Sequence, residues 1–146
     1  YQVHTEVGKI ENASAFIENA LNTKQKIMGF GHRVYKVDDA RKPHLKGMAK
    51  KLWEERGDME IFNVSEEIEK QVKTRKPIIT NVDFYSAPLL YGLDIPTDLF
   101  TPLFAMSRVA GWTAHVLEQY KNNRLIRPRA RYVGTIDRTF RPIEQR

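Results

Sequence analysis

The sequence predicts an all-α fold, and three observations carry that expectation. Apolar residues recur with the helical period in two separate stretches, and a third, longer stretch is apolar nearly all round. The only run with strand propensity, Ile78-Ile79-Thr80, is too short to build a sheet. A chain of 146 residues can bury one respectable core, so one domain is the starting expectation.

Residues 1–9 show no clear period. Asn12-Ala13-Ser14 then opens a helix in which Phe16, Ile17, Ala20 and Leu21 share a face, and Asn22-Thr23-Lys24 breaks it. After a loop, Lys42-Pro43 marks a helix entry, followed by the stripe Leu45, Met48, Ala49, Leu52 and Trp53, a core-facing amphipathic pattern. His44 reads as a polar residue of that helix start. Gly57-Asp58 ends the helix. Ser65 followed by Glu66, Glu67 and Glu69 places acids in the first turn of the next one, where the helix dipole favours them. Ile68 and Val72 give it a sparse apolar side, and Lys76-Pro77 closes it.

Asn81 reads as the N-cap of a helix through Leu90, with Asp83 in its first turn. Thr97 or Asp98 caps the last helix, in which Leu99, Phe100, Leu103, Phe104, Met106, Val109, Ala110 and Trp112 face every direction. A helix of that kind is expected to be buried on most sides. Gly111 marks a kink or a close contact within it, and a second helical part carries Val116, Leu117 and Tyr120 before Asn122-Asn123 stops it. From Arg124 onward, Pro128, Gly134 and Pro142 give an extended arm whose few apolar residues need another surface to lie on.

Charge and composition exclude several classes. Net charge is +6, and eight basic residues from Lys121 onward against Asp137 and Glu144 account for the whole excess. This basic tail lacks helical basic spacing or a stacking array, so no nucleic-acid partner is expected. No apolar run reaches the length of a membrane span, and nothing reads as a secretory signal. There is no cysteine, hence no disulfide framework and no thiolate metal site; a cytoplasmic, reducing setting fits.

The densest chemistry lies in GFGHRVYKVDDAR, residues 29–41, after the apolar lead-in Ile27-Met28. Gly29 and Gly31 flank Phe30 and let the backbone take positive φ or approach a ligand closely. His32 follows, a side chain whose proton can be donated or withheld near neutral pH, and Arg41 can grip a carboxylate with two parallel hydrogen bonds. The stretch reads as acid/base chemistry beside an anion. Elsewhere the residues are ambiguous on their own. Asp83 reads first as an N-terminal helix acid and Arg127 as surface, while His32 reads either way. Arg108 is the least bland, because an unpaired arginine buried in an apolar helix is costly.

The run from Gly29 to Arg41 closely resembles the signature of the citrate synthase family. Three further blocks resemble that family in the same order: NVDFYSA at 81–87, FTPLFAMSRVAGWTAH at 100–115 and RPRARYVG at 127–134. Four ordered blocks are far more specific than a lone glycine pattern. The resemblance implies a multihelical, all-α fold in which residues 1–108 form most of the small, CoA-binding domain. Residues 109–146 would then pack on the large domain and a dimer partner. It also places Tyr1 well past the middle of a full-length relative, so the chain is expected to be a C-terminal segment.

The implied chemistry is condensation of acetyl-CoA with oxaloacetate and hydrolysis of the thioester, an acyl transfer of the tricarboxylic acid cycle. Acetyl-CoA is a substrate, and no separate cofactor or metal is implied. His32 would polarise the oxaloacetate carbonyl, and Asp83 would take the methyl proton of acetyl-CoA. Arg41 and Arg108 would hold oxaloacetate carboxylates, Arg127 would reach into the partner subunit's site of a homodimer, and Phe104 would wall the pocket. The backbone of Ile27, Met28, Gly29, Phe30 and Gly31 would face CoA. Asp83 at a helix N-terminus sits where its anion is favoured, so the methyl acidity has to be raised at the enolate oxygen instead. The family uses another histidine there, on a segment preceding the signature, and His4 does not match it. The 146-residue chain by itself is therefore expected to be inactive.

Two departures stand out: Ala40 replaces the usual proline before Arg41, and Ala87 stands where glycine is common. The motifs serve a 2-methylcitrate synthase using propionyl-CoA equally well. A non-catalytic CoA-binding or assembly module is the alternative for the chain alone.

Overall fold

In a computed structural model, the structure describes residues 1–37, 39–125, 131–137, 139 and 142–145. Among these the chain is helical, as its pattern implies. The helices are α1 (Gln2–Val7), α2 (Ala13–Asn22), α3 (Lys42–Arg56), α4 (Glu60–Arg75), α5 (Val82–Gly92) and α6 (Phe100–Lys121). Single 3-10 turns occur at Ile10–Asn12, Thr97–Leu99 and Ile143–Gln145. Extended pairing among the described residues is limited to one antiparallel bridge between Phe30 and Thr80. The chain divides into two compact units, Tyr1–Ser107 and Arg108–Arg146.

In the first unit, α4 is the central post. Phe62, Val64, Ile68 and Val72 are each at most 1 % exposed, and α1, α2, α3 and α5 all touch this helix. α3 packs along α5, where a side chain on Gly92 would collide with Leu52 and Trp53. The Trp53 indole donates to the Pro88 carbonyl at 3.0 Å, and Arg56 donates to the Gly92 carbonyl at 2.6 Å. The first of these gives a buried polar atom its partner, which a buried indole needs.

Two helix starts differ from the sequence reading. α1 forms where no period was visible, because Val3 and Val7 bury at i, i+4 while His4, a polar type, occupies the same face. α4 begins at Glu60, well before Ser65. Gly57 takes the left-handed conformation at φ 70° and ends α3, and Asp58 Oδ1 then accepts from the Glu60 N–H at 3.0 Å. Ser65 lies inside the helix, its hydroxyl donating to the Ile61 carbonyl at 2.7 Å. Glu69 is buried rather than a solvated first-turn acid.

The largest difference concerns α6. It runs unbroken through Gly111, where an added Cβ would meet no atom within 4 Å. None of its residues is buried; Met106, Val109, Trp112, Val116, Leu117 and Tyr120 all stand exposed. Its all-round apolarity therefore marks surface left uncovered within its own unit, and this corrects the expectation of a buried helix. In the second unit the described residues beyond Lys121, apart from the turn Ile143–Gln145, are irregular and exposed, as the arm's composition implies.

Candidate functional site

Residues 29–31 are sewn to residues 79–81. The Gly31 N–H donates to the Ile79 carbonyl at 2.7 Å, and the Asn81 N–H donates to the Gly29 carbonyl at 2.9 Å. Asn81 Nδ2 adds a third bond to the Gly31 carbonyl at 2.9 Å. The same Asn81 caps α5, its Oδ1 accepting from the Asp83 N–H at 3.0 Å. One side chain thus fixes both the loop that leads into His32 and the helix turn that carries Asp83.

The two glycines have different reasons. Gly29 has φ 89°, and a Cβ there would lie 2.7 Å from Phe84 Cδ2 and 3.2 Å from Phe84 Cα. Gly31 has φ 81°, and a Cβ there would make only an ordinary van der Waals contact with Ile78 Cγ2 at 3.9 Å. Both need the left-handed region. The close approach at Gly29 is to Phe84 of α5, and part of the loop's hydrogen bonding goes to residues 79–81. Ile27 and Phe30 bury their side chains, while Met28 is 54 % exposed.

His32 is half-buried, and its ring is held from two sides. Nδ1 accepts from the Tyr35 N–H at 2.8 Å and from the Val34 N–H at 3.1 Å, and the Tyr35 ring stacks on the imidazole at 4.4 Å. Two backbone donors on Nδ1 assign the ring proton of the neutral imidazole to Nε2. The outer nitrogen is therefore a fixed hydrogen-bond donor.

Asp83 is exposed on the first turn of α5. With Met28, Gly29, Phe84, Val3 and His4 it lines a cavity of about 190 Å³. The structure thus brings the Met28–Gly29 backbone and Asp83 to one space. His4 is 5 % exposed beside the Phe84 ring, and neither ring nitrogen has a hydrogen-bond partner among the described residues. Burial pushes its pKa down to about 3, so it is neutral at working pH.

Arg41 is steered by Asp39, which the sequence reading passed over. Asp39 Oδ1 accepts from Arg41 Nε at 2.9 Å and from its backbone N–H at 3.0 Å, and Oδ2 accepts from Nη2 at 2.7 Å. One edge of the guanidinium fork is thus spent on a neighbour, and the outer edge is left for a ligand carboxylate. The Arg41 hydrogen bonds hold the Asp39 carboxyl down to about 2, although it is only 1 % exposed. The Asp39 hydrogen bond likewise raises Arg41, with a smaller contribution from the charge of Asp83. Asp39, Arg41 and, more weakly, Asp83 are thus electrostatically linked. The alternation of Asp39, Ala40 and Arg41 was the available signal for this pair.

Phe104 is half-buried on α6. Arg108 is not the buried arginine the sequence suggested: it is exposed, with its guanidinium 5.9 Å from the Trp112 ring centre. The surroundings of Arg108 in its own unit are open, so the side chain stays solvated and lies along the neighbouring indole. Arg127 lies outside the described residues. Among the described residues no group of three or more His, Asp or Glu side chains could hold a metal ion, and no helix is long and apolar enough to cross a membrane.

Comparison with known proteins shows the family of the chain. The family model for the citrate synthase C-terminal domain matches residues 1–129. Citrate synthase 2 of Bacillus subtilis is 54 % identical over 142 residues, covering 97 % of this chain and 38 % of the relative. The 2-methylcitrate synthase 1 of Corynebacterium glutamicum is 39 % identical over 148 residues, covering 100 % of this chain and 39 % of the relative. The chain thus spans well under half the length of these relatives. Among solved structures, citrate synthase of Thermoplasma acidophilum in ternary complex with carboxymethyl coenzyme A and oxaloacetate is similar at 36 % identity. Its TM-score is 0.74, with 98 % of this chain and 40 % of that one covered. Citrate synthase of Thermotoga maritima gives 41 % identity and a TM-score of 0.73, with 99 % and 40 % covered.

Proposed function

This chain belongs to the citrate synthase family, and we propose that it supplies the C-terminal part of an enzyme that condenses acetyl-CoA with oxaloacetate. Residues 1–108 make the CoA-facing small domain in this reading, and residues 109–146 pack on the rest of the enzyme and on a second subunit. The exposed apolar residues of α6 support that assignment, since a contiguous apolar surface of this kind belongs against another surface. Arg127 then reaches the partner's site. The lack of cysteine agrees with a cytoplasmic setting.

The observation that carries the reading is the pinned ring of His32. Its Nε2–H is a donor of fixed direction, as needed to polarise a ketone oxygen without supplying a full positive charge. The outer edge of Arg41 and the guanidinium of Arg108 hold the oxaloacetate carboxylates, with Phe104 as a wall. The Ile27–Gly31 backbone faces CoA, and the thioester methyl enters the space lined by Met28, Gly29 and Asp83.

Asp83 takes a methyl proton, and the electron pair of that C–H bond becomes the enolate. The enolate carbon attacks the oxaloacetate carbonyl carbon, and the ketone oxygen takes up a proton as the C–C bond forms. Water then cleaves the thioester, giving citrate and free CoA. The group that stabilises the enolate oxygen is a histidine in the part of the family protein that this chain does not span. His4 does not serve, because its ring is buried in the core beside Phe84.

The test is oxaloacetate-dependent release of the CoA thiol. The chain alone is expected to release none, and the chain joined to the missing part of the family protein is expected to release it with acetyl-CoA. Faster turnover of propionyl-CoA by the joined protein would shift the reading to a 2-methylcitrate synthase. If the joined protein releases no thiol while the chain still binds CoA, the chain is a binding module instead.

A further inference from the structure

Glu69 lies on α4, distant in sequence from His32, Arg41 and Asp83, and is 6 % exposed. Its Oε1 accepts from Lys42 Nζ at 2.9 Å, from Lys73 Nζ at 2.9 Å and from Thr80 Oγ1 at 3.1 Å. Its Oε2 accepts from the Tyr85 hydroxyl and from Lys46 Nζ at 3.4 Å. Burial pushes this carboxyl up, but the bonds from Tyr85, Lys73 and Lys42 outweigh it and hold the group well below the usual carboxylate range. Tyr85 is displaced the other way, by burial and by the Glu69 charge, so its hydroxyl keeps its proton.

Three of these partners adjoin site residues. Thr80 stands opposite Phe30, between the two backbone bonds that hold residues 29–31, two positions before His32 begins its own turn. Tyr85 follows Asp83 by two residues on α5. Lys42 follows Arg41, and its N–H donates to the Asp39 carbonyl at 3.0 Å. A single buried carboxylate therefore ties down the His32 loop, the Asp83 helix and the Arg41 turn.

We infer that Glu69 is a positioning residue, which sets His32, Asp83 and Arg41 at their working separation by binding Thr80, Tyr85 and Lys42 at once. This rests on the roles given to those three residues above. A buried ion pair contributes little net stability over a well-packed apolar replacement, so stability alone does not account for the arrangement. Geometry does: a shift of about 1 Å between reacting groups can cost on the order of a hundredfold in rate. Lys73 serves as an internal contrast, because it binds the same carboxylate from α4 itself and is not one of the three links to Thr80, Tyr85 and Lys42.

The experiment is steady-state kinetics on the complete enzyme, at a temperature where circular dichroism shows each variant folded. Glu69→Gln is expected to lower kcat by about tenfold or more, and Tyr85→Phe and Thr80→Val by about threefold each. Lys73→Met is expected to stay within about twofold of wild type, since it leaves the three site links intact. The two single-bond variants keep the test valid if Glu69→Gln does not fold. Unchanged kcat in Tyr85→Phe and Thr80→Val, with losses seen only in thermal stability, would overturn the inference while the proposed function stands. A wild type that releases no CoA would overturn the proposed function and this inference with it.

Discussion

The two units spend their apolar residues in opposite ways. In Tyr1–Ser107, Ile17, Phe62, Ile68, Val72, Phe84 and Tyr85 are each at most 1 % exposed. In Arg108–Arg146, Val109, Trp112, Val116, Leu117 and Tyr120 are each at least 47 % exposed. The periodicity of a helix says which residues want cover and not which chain segment provides it. The first unit closes its core from its own helices, whereas the second presents an apolar helix for something else to cover.

The sharpest way to break that contrast is a pair of truncations. Phe62→Ala is expected to destabilise the first unit by about 3–5 kcal/mol, as for a fully buried aromatic. Trp112→Ala is expected to change the stability of the 146-residue chain by less than about 0.5 kcal/mol, as for an exposed position. Urea unfolding of both variants checks this, and a large loss for Trp112→Ala in the chain alone would end the contrast.

Glycines give a second pair. Gly29→Ala forces a Cβ into Phe84 at a positive φ and is expected to cost about 3 kcal/mol or more. Gly111→Ala, with open space in mid-helix, is expected to stabilise by up to about 1 kcal/mol. Opposite signs in thermal melts are the expected outcome.

His4 yields a pH test inside the first unit. The unfolded imidazole takes up a proton near pH 6.5, while the buried ring resists it to about pH 3. The unfolded state therefore binds more protons in that window, and stability falls as pH drops from 6.5 toward 3. His4→Leu removes two unpartnered buried nitrogens. It is expected to raise stability at pH 5 by about 1–2 kcal/mol and to flatten this slope. A slope unchanged in the variant would assign the pH dependence elsewhere.

Much of this was legible in the sequence because local rules governed it. Asn81 as an N-cap and Gly57-Asp58 as a helix stop follow from short-range stereochemistry, and the structure has them as expected; of the stripe Leu45, Met48, Ala49, Leu52 and Trp53, Ala49 and Trp53 are buried while Met48 is 57 % exposed. The misses share a different cause. Glu69 looked like a first-turn acid, because nothing nearby shows that Lys42, Thr80 and Tyr85 converge on it. Asp39 was hidden by the conspicuous Arg41 beside it. α1 was hidden by one histidine on an apolar face, and Arg108 looked buried because its helix is apolar whether or not anything covers it. In each case the deciding partner is remote in sequence or lies outside the helix concerned.

In the proposed citrate-forming site, Asp83 is the base and His32 the polarising group. The most direct measurement is oxaloacetate-dependent CoA release by the complete enzyme and its Asp83→Asn variant at saturating substrates. Asp83→Asn is expected to lower kcat by about 10²–10⁴-fold while leaving the fold intact, as for loss of a positioned base. Near-wild-type turnover in a folded Asp83→Asn enzyme would contradict the account.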